Sequence, residues 1–590
     1  MKYRNLTTDE IARLERQGNT ADNWSAVLVS EPFNAECVRN CTFDGSVSLG
    51  AIERNTVADG DLTLREGIYN SCLANVVIGN HPAIHNVRMI SNYQVGNSVI
   101  LFNIDEMTCT ADPHKVAWLE PMNENGGRRL LPFGGMTVGD AYLWARYRGH
   151  KQFMAKLEQF TYDVLQTPEG RYGRVGDSCV IKNTKTVHNV IVNSATDDPS
   201  RIESCIAVSD GVVGYGCTLE YGVIAVRFLL GEHVHLEYGL RLNDTVVGDN
   251  STLARCEVGN SIIFPAHEQH HNNSFLIAGL IMGQSNIAAG GTIGSNHNSR
   301  TADNEIAAGR GFWPGLCCSF KHSSRFASYC LLAKADYPAE LDITLPFALV
   351  NNNAAKDQLE VMPAYWWMYN MYAMDRNSKK FAKRDKRVRK AQNIEFDNLA
   401  PDTAEEILHG MELLRRWMAA AKDGVVYAEG MEKGKRKTVV LKAAEGLKAY
   451  EDMLVFYAMK YYESGEWTME SGERKWVNIG GQLVAEADME QLIADVENGR
   501  IGSWDALNAR LGKLWAEYPA RRAAHAYGVL CRLAGVDKLD DALWKKYQQR
   551  YADIQNYIEE QKVASRQKDD VNPYRAMTYW DDAERAAVME

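Results

Sequence analysis

The densest run of chemically useful side chains is Pro265-Ala266-His267-Glu268-Gln269-His270-His271-Asn272-Asn273. Five of the fourteen histidines (His233, His235, His267, His270 and His271) lie between positions 233 and 271. An imidazole ionises near neutrality, so it can take a proton from an amine or hydroxyl nucleophile. Neighbouring Asn side chains and backbone amides can hold a sugar or a developing oxyanion. A second polar text follows: Asn286-Ile287-Ala288-Ala289-Gly290-Gly291-Thr292-Ile293-Gly294, then Ser295-Asn296-His297-Asn298-Ser299-Arg300. His267, His270, His271 and His297 are all candidate bases, and three His in five residues favour His270 and His271. His267 has a competing structural reading, because His233, Asn250, His267 and Gln284 fall seventeen apart and would stack as a polar ladder.

That spacing belongs to the elements that must position these residues. Val213, Leu230, Val247, Phe264 and Ile281 recur every seventeen residues, and so do Leu219, Leu236 and Leu253. Within each repeat the apolar residues are about six apart, a period that neither an amphipathic helix nor an ordinary strand has. Fixed self-similarity of this kind predicts a parallel β-helix with three short strands per turn. Gly and Asn, as in Val95-Gly96-Asn97-Ser98, suit the corners. The fold class is therefore mainly β: a β-helix with an inserted helix and a C-terminal, mostly α-helical domain. The expected divisions are a helical cap over 1–36, a first β-helix block over 37–120, and a loop and helical insertion over 121–174. A second β-helix block over 175–354 carries the site, and a mainly helical domain covers 355–590. Thr137 with Asp140 reads as the capping box of the inserted helix, which should pack outside the β-helix. Ser503 reads as the cap of a C-terminal helix, and a short strand pair is expected between Val425 and Leu441.

Composition narrows the class. The net charge of -11 argues against general nucleic-acid binding. Twelve Cys are scattered without a CxxC pair, and Cys205, Cys217 and Cys256 sit at inward-looking positions, as buried thiols in a cytoplasmic protein would. No secretory signal and no apolar run of about 18 residues is present, so no membrane span is expected. Residues 379–390 (KKFAKRDKRVRK) hold eight basic residues. They read as a solvated helix face or a patch meeting an acidic partner subunit, with CoA phosphates or a nucleotide as the functional alternative. Trp366 and Trp367, with Tyr365, Tyr369 and Tyr372, read as a domain contact rather than a ligand cage.

The repeat text resembles the left-handed β-helix, hexapeptide-repeat transferases. Its nearest local likeness is to the acetyltransferase half of the bifunctional glucosamine-1-phosphate acetyltransferase/N-acetylglucosamine-1-phosphate uridyltransferase family. That family's Asn-Ile-Gly-Ala-Gly-Thr-Ile coil resembles Asn286-Ile287-Ala288-Ala289-Gly290, one extra Gly291, then Thr292-Ile293. The resemblance implies acyl transfer from acetyl-CoA to an amine or hydroxyl of a sugar or sugar nucleotide. It implies His271 or His270 as base and Asn286, Arg241, Asn296, His297 and Arg300 on the substrate. It also implies Ala288, Ala289 and Gly290 beside the CoA arm, and a homotrimer. Phe275 and His297 stand where that family has Tyr. As a whole the chain looks more like a large hexapeptide-repeat family of uncharacterised function. Two other readings stand beside this one: a non-catalytic scaffold or sugar-nucleotide-binding protein, and a zinc enzyme like the β-helical carbonic anhydrases, with three His as ligands.

Overall fold

The computed structural model describes residues 2–110, 112–294, 304–462, 475–568 and 572–589. Its centre is a parallel β-solenoid of about 18 turns. In a regular turn, the seven-residue strand Ile224–Leu230 bends at Arg227 and supplies the first and second faces. The three-residue strand His235–Glu237 supplies the third. Arg227, His233 and Tyr238 mark the three corners, with φ of 51, 53 and 54°. Asp244, Asn250 and Arg255 do the same one turn later. A left-handed backbone costs a non-glycine residue about 1–3 kcal/mol. The parallel ladders on both sides of each corner hold it there.

Register follows the repeat. Ile224 faces Arg241, and Leu219, Leu236 and Leu253 stack in one inward file. These leucines are 0% exposed, so each contributes about 1.5–3 kcal/mol of burial. Parallel pairing begins earlier than expected. Thr20–Ala21 and Val27–Ser30 already pair with Thr42–Leu49, inside the stretch read as a helical cap. Strands of two to four residues are too short to show a period. The cap does contain a helix, α1 (Thr8–Arg16), closed by a Thr7/Glu10 capping box.

The insertion holds two helices, α2 (Val138–Arg146) and α3 (Lys151–Leu165). Thr137 and Asp140 form the expected capping box. The Tyr142 ring meets Phe264 edge-on at 5.3 Å, so α2 lies on the outside of the second face. At the far end Leu349–Asn353 turns back antiparallel to Gln358–Met362. That strand pairs with Lys437–Val440, and Tyr427–Ala428 completes the predicted strand pair. The C-terminal region therefore closes the last turn. Among the described residues its helices are α4 (Tyr365–Tyr369), α5 (Met371–Lys383), α6 (Pro401–Ala419), α7 (Ala443–Tyr461), α8 (Glu486–Glu497), α9 (Trp504–Ala534), α10 (Asp541–Gln567), α11 (Pro573–Ala576) and α12 (Asp582–Met589). Ser503 caps α9 through the Ala506 N–H at 3.1 Å. Among the described residues, no helix is long and apolar enough to cross a membrane.

The basic run is a strap on the solenoid's own acidic corner. Arg387 bonds Asp249 at 2.8 Å with both side chains buried. Arg389 lies over the Tyr215 ring and bonds Asp197 and Asp198. Glu232 accepts the N–H groups of Arg389, Lys390 and Ala391 at 2.9–3.2 Å. The run thus meets a file of acids on its own chain at the second corner, rather than the expected solvated face or acidic partner subunit. Burial pushes the Asp249 carboxyl up to about 6, against the pull of Arg387. Removing Arg387 leaves that carboxylate buried alone, a loss of about 3–5 kcal/mol. Arg387→Met should therefore lower the unfolding free energy by that amount and bring the first tryptic cuts to residues 384–392. Cleavage elsewhere first, at unchanged stability, would contradict the strap.

Candidate active site

The third corner carries the irregularity that makes a site. Regular corners read Glu220-Tyr221-Gly222-Val223 and Glu237-Tyr238-Gly239-Leu240. The next is Ala254-Arg255-Cys256, one residue short, because Arg241 pairs with Glu257 instead of a residue one further on. Above it comes His270-His271-Asn272-Asn273-Ser274, one residue long, and Glu257 pairs with Phe275. Regular spacing resumes where Phe275 pairs with Thr292. The long corner overhangs the notch left by the short one. Tyr238, Arg241, Arg255, Glu257, Asn272 and Phe275 line the resulting open groove of about 490 Å³. Arg255 stacks over the Tyr238 ring at 4.8 Å.

This irregularity corrects two expected columns. Val247 pairs with Ile263, not Phe264, and Ile263 pairs with Ile281. The second-corner file runs His233, Asn250, Ala266 and Gln284, all at positive φ, so His267 lies one position past the corner and points inward. It is 0% exposed, and its Nδ1 and Nε2 meet Ser285 Oγ at 2.8 Å and Gln269 Oε1 at 3.2 Å. Gln269 donates to Ser274 Oγ at 3.0 Å. His267 is sealed from any substrate and is removed as a base. Gln269 occupies the inward file that Leu253 holds one turn below. The turn that carries the overhang therefore has a polar interior.

His270 and His271 sit outside, at the root of the overhang. Their rings are 4.5 Å apart. Burial, then the neighbouring His271, push the His270 imidazole below its ordinary pKa, so it is neutral at neutral pH and able to accept a proton. Asn286 is bridged to Glu268 in the adjacent turn and donates to its Oε2 at 3.2 Å. It serves that carboxylate rather than the notch. Lys380 and Arg384 reach Glu268 from above at 2.6 and 3.3 Å. Burial pushes the Glu268 carboxyl up, but its bond to Lys380 and the charges of Lys380, His270 and Arg384 together hold it below the usual carboxylate range.

The Gly290 N–H donates to the Asn272 carbonyl at 3.1 Å, so the Ala288–Gly290 corner lies directly over the overhang. Gly290 has φ +69°, and a Cβ there would come within 2.9 Å of Cys317 Sγ. Arg241 is exposed in the groove on the other side of the same corner. Asn296, His297 and Arg300 lie outside the described residues. Beside the notch, the third face and α5 enclose a cleft of about 320 Å³ lined by His233, His235, Asn250, Glu268, Arg384 and Lys386. Sequence reading missed Arg255 and Lys380. The signal for Arg255 was the glycine missing between it and Cys256. For Lys380 there was none, since its partner is more than a hundred residues away. Among the described residues no three His, Cys, Asp or Glu side chains converge as metal ligands, unlike the expected zinc reading. His267 and His270 lie on opposite sides of the sheet.

Burial pushes the His267 pKa down to about 4. Below its unfolded value of about 6.5, the unfolded chain takes up a proton that the folded chain refuses. This stability is complete above about pH 6.5 and falls by roughly 1.4 kcal/mol per pH unit down to the folded pKa. The difference in urea-unfolding free energy between wild type and His267→Gln should thus shrink by about 2–3 kcal/mol from pH 7 to 4.5. A difference independent of pH would refute the assignment.

Two comparisons bear on what this architecture belongs to. Residues 3–418 match the family model "Domain of unknown function (DUF4954)", which spans the solenoid, the strap and α6. The chain is also similar to an uncharacterized protein of Treponema pallidum (strain Nichols), 42% identical over 652 residues that cover 100% of this chain and 90% of the relative. The notch, the overhang and the strap all fall within the matched region, and the chain belongs to the DUF4954 family.

Proposed function

We propose that the third-corner notch is the active site of an acyltransferase. It would take an acyl group from a thioester such as acetyl-CoA and pass it to an amine or hydroxyl of a sugar phosphate or sugar nucleotide. The observation that carries this reading is the short corner beneath the long one. It puts two guanidiniums, Arg241 and Arg255, in a notch beneath the corner that His270 and His271 begin. Arginine suits the phosphate of such an acceptor. His270 would take the proton from the nucleophile as it attacks the thioester carbonyl, with His271 as the alternative base. The proton would then pass to the departing thiolate. The Ala288–Gly290 corner offers a surface without bulky side chains for the thioester arm. In this reading the solenoid winds left-handed, the protein is cytoplasmic, and a homotrimer brings a second copy to the third corner. The insertion covers the second face and the strap covers the second corner, which leaves that edge uncovered.

A non-catalytic sugar-nucleotide-binding scaffold is the second reading. It is favoured by one observation: among the described residues no carboxylate hydrogen-bonds His270 or His271 to orient it. Calorimetry with CoA, followed by a free-thiol assay on acetyl-CoA with a panel of sugar phosphates, separates the two. His270→Ala should cut turnover by about 100-fold or more without changing CoA affinity. Inserting Gly after Arg255 should refill the corner and abolish acceptor binding while the chain stays folded. Absence of CoA binding at millimolar ligand in folded protein would end the acyltransferase reading and leave the scaffold.

A further inference from the structure

A second cleft lies away from the notch, where α5, α7 and α10 meet. Its volume is about 440 Å³, within the range of small-molecule sites. Phe456 and Tyr551 form its aromatic wall, with ring centroids 5.7 Å apart, and the buried Trp367 backs Phe456 at 6.0 Å. Met371 and Met374 form the floor. At the inner end is Asn398, only 7% exposed. Among the described residues, no group hydrogen-bonds its carboxamide. Met374 and Asn398 also border a smaller inner chamber lined by Trp366 and Asn377. The Trp366 Nε1 is buried there with no partner among the described residues. A buried donor left without a partner, as the Trp366 indole is, costs the protein about 1–3 kcal/mol. That indole and the open Asn398 carboxamide, at the inner end of an aromatic slot, describe a ligand with a flat apolar body and a hydrogen-bonding edge.

We infer that this cleft binds an adenine nucleoside, with the base against the aromatic wall and its amino edge on Asn398. A carboxamide presents one donor and one acceptor side by side. Adenine presents the complement, its amino group next to a ring nitrogen, and Asn pairs with that edge in two bonds. Stacking of a base on an aromatic side chain adds about 1–3 kcal/mol. Charge at the mouth is already balanced. Lys379 bonds Asp375 at 2.8 Å, Lys562 bonds Glu559 at 2.9 Å, and Lys460 bonds Asp397. The slot therefore selects a neutral ring rather than a free anion, with the sugar directed to the mouth. Trp367, read from sequence as a domain contact, is buried beside Tyr557 of α10 and supports Phe456 from behind.

The test is titration of the full chain with adenosine, read by tryptophan fluorescence and calorimetry. Saturable binding is expected. Inosine, which lacks the amino donor, should bind about tenfold more weakly or worse. Asn398→Leu should weaken adenosine by a similar factor without moving the thermal midpoint. Should that variant fail to fold, Tyr551→Ala at the cleft mouth replaces it, with a several-fold loss expected. His270→Ala should bind adenosine normally, so this site stands or falls apart from the notch. A CoA titration repeated with saturating adenosine reads the notch alone. No saturable adenosine binding by the folded chain, or equal affinity for inosine, would overturn the proposal.

Discussion

A solenoid stacks like on like, and at the second corner that places acid above acid. Asp198, Glu232 and Asp249 rise along one file, with Asp198 and Asp249 nearly sealed from water. Parallel pairing fixes Glu232 and Asp249 at roughly one strand spacing, about 4.8 Å, so they cannot move apart, and Asp198 lies two turns below Glu232, beyond Tyr215. The strap resolves the conflict by laying two guanidiniums and three backbone N–H groups along the file. Much else hangs on that contact. The strap continues from α5, which roofs the third face, and ends at Gln392, whose side chain accepts the Gly139 N–H of α2. One charge constraint thus ties insertion, solenoid and helical domain together.

The junction above the strap follows the same logic of paired burial. Arg310 is 1% exposed and bonds Asp402 through two nitrogens at 2.7 and 2.9 Å, and it also donates to the Asp397 carbonyl. Glu395 accepts from the Tyr518 hydroxyl and from Arg522. Such networks are costly to break and demand one geometry. They hold the helices in a fixed pose over the last turns of the solenoid. Both clefts border α5, so its placement shapes the third-face cleft on one side and the aromatic slot on the other.

Much of the scaffold was legible because stacking repeats the same physical demand in every turn. Leu219, Leu236 and Leu253 announce an inward file, and Thr137, Asp140 and Ser503 announce helix starts by local chemistry alone. The first turns were less legible, since Thr20–Ala21 is too short to carry a period. The site was legible in neighbourhood but not in role. His267 looked like a ladder residue or a base and is an inward residue bonded to Ser285 and Gln269, because one residue had been lost at Arg255–Cys256. The strap's partners could not be read at all. Arg387 and Asp249 meet across more than a hundred residues of sequence. No spacing rule reaches that far.

The short and long corners have a consequence beyond the groove they make. In a crystal, a missing half-plane beside an extra one is a bound pair of opposite dislocations. The distortion is large between them and cancels at a distance. Here the lattice is the stack of turns, and the cancellation is visible in the return to regular pairing at Phe275 and Thr292. Each defect is absorbed at its own corner, since Val258, Ile262 and Ile263 still point inward in the turn between the two. One corner can therefore depart from the repeat while the faces beside it keep their files, so local novelty need not disturb the long-range order of the column.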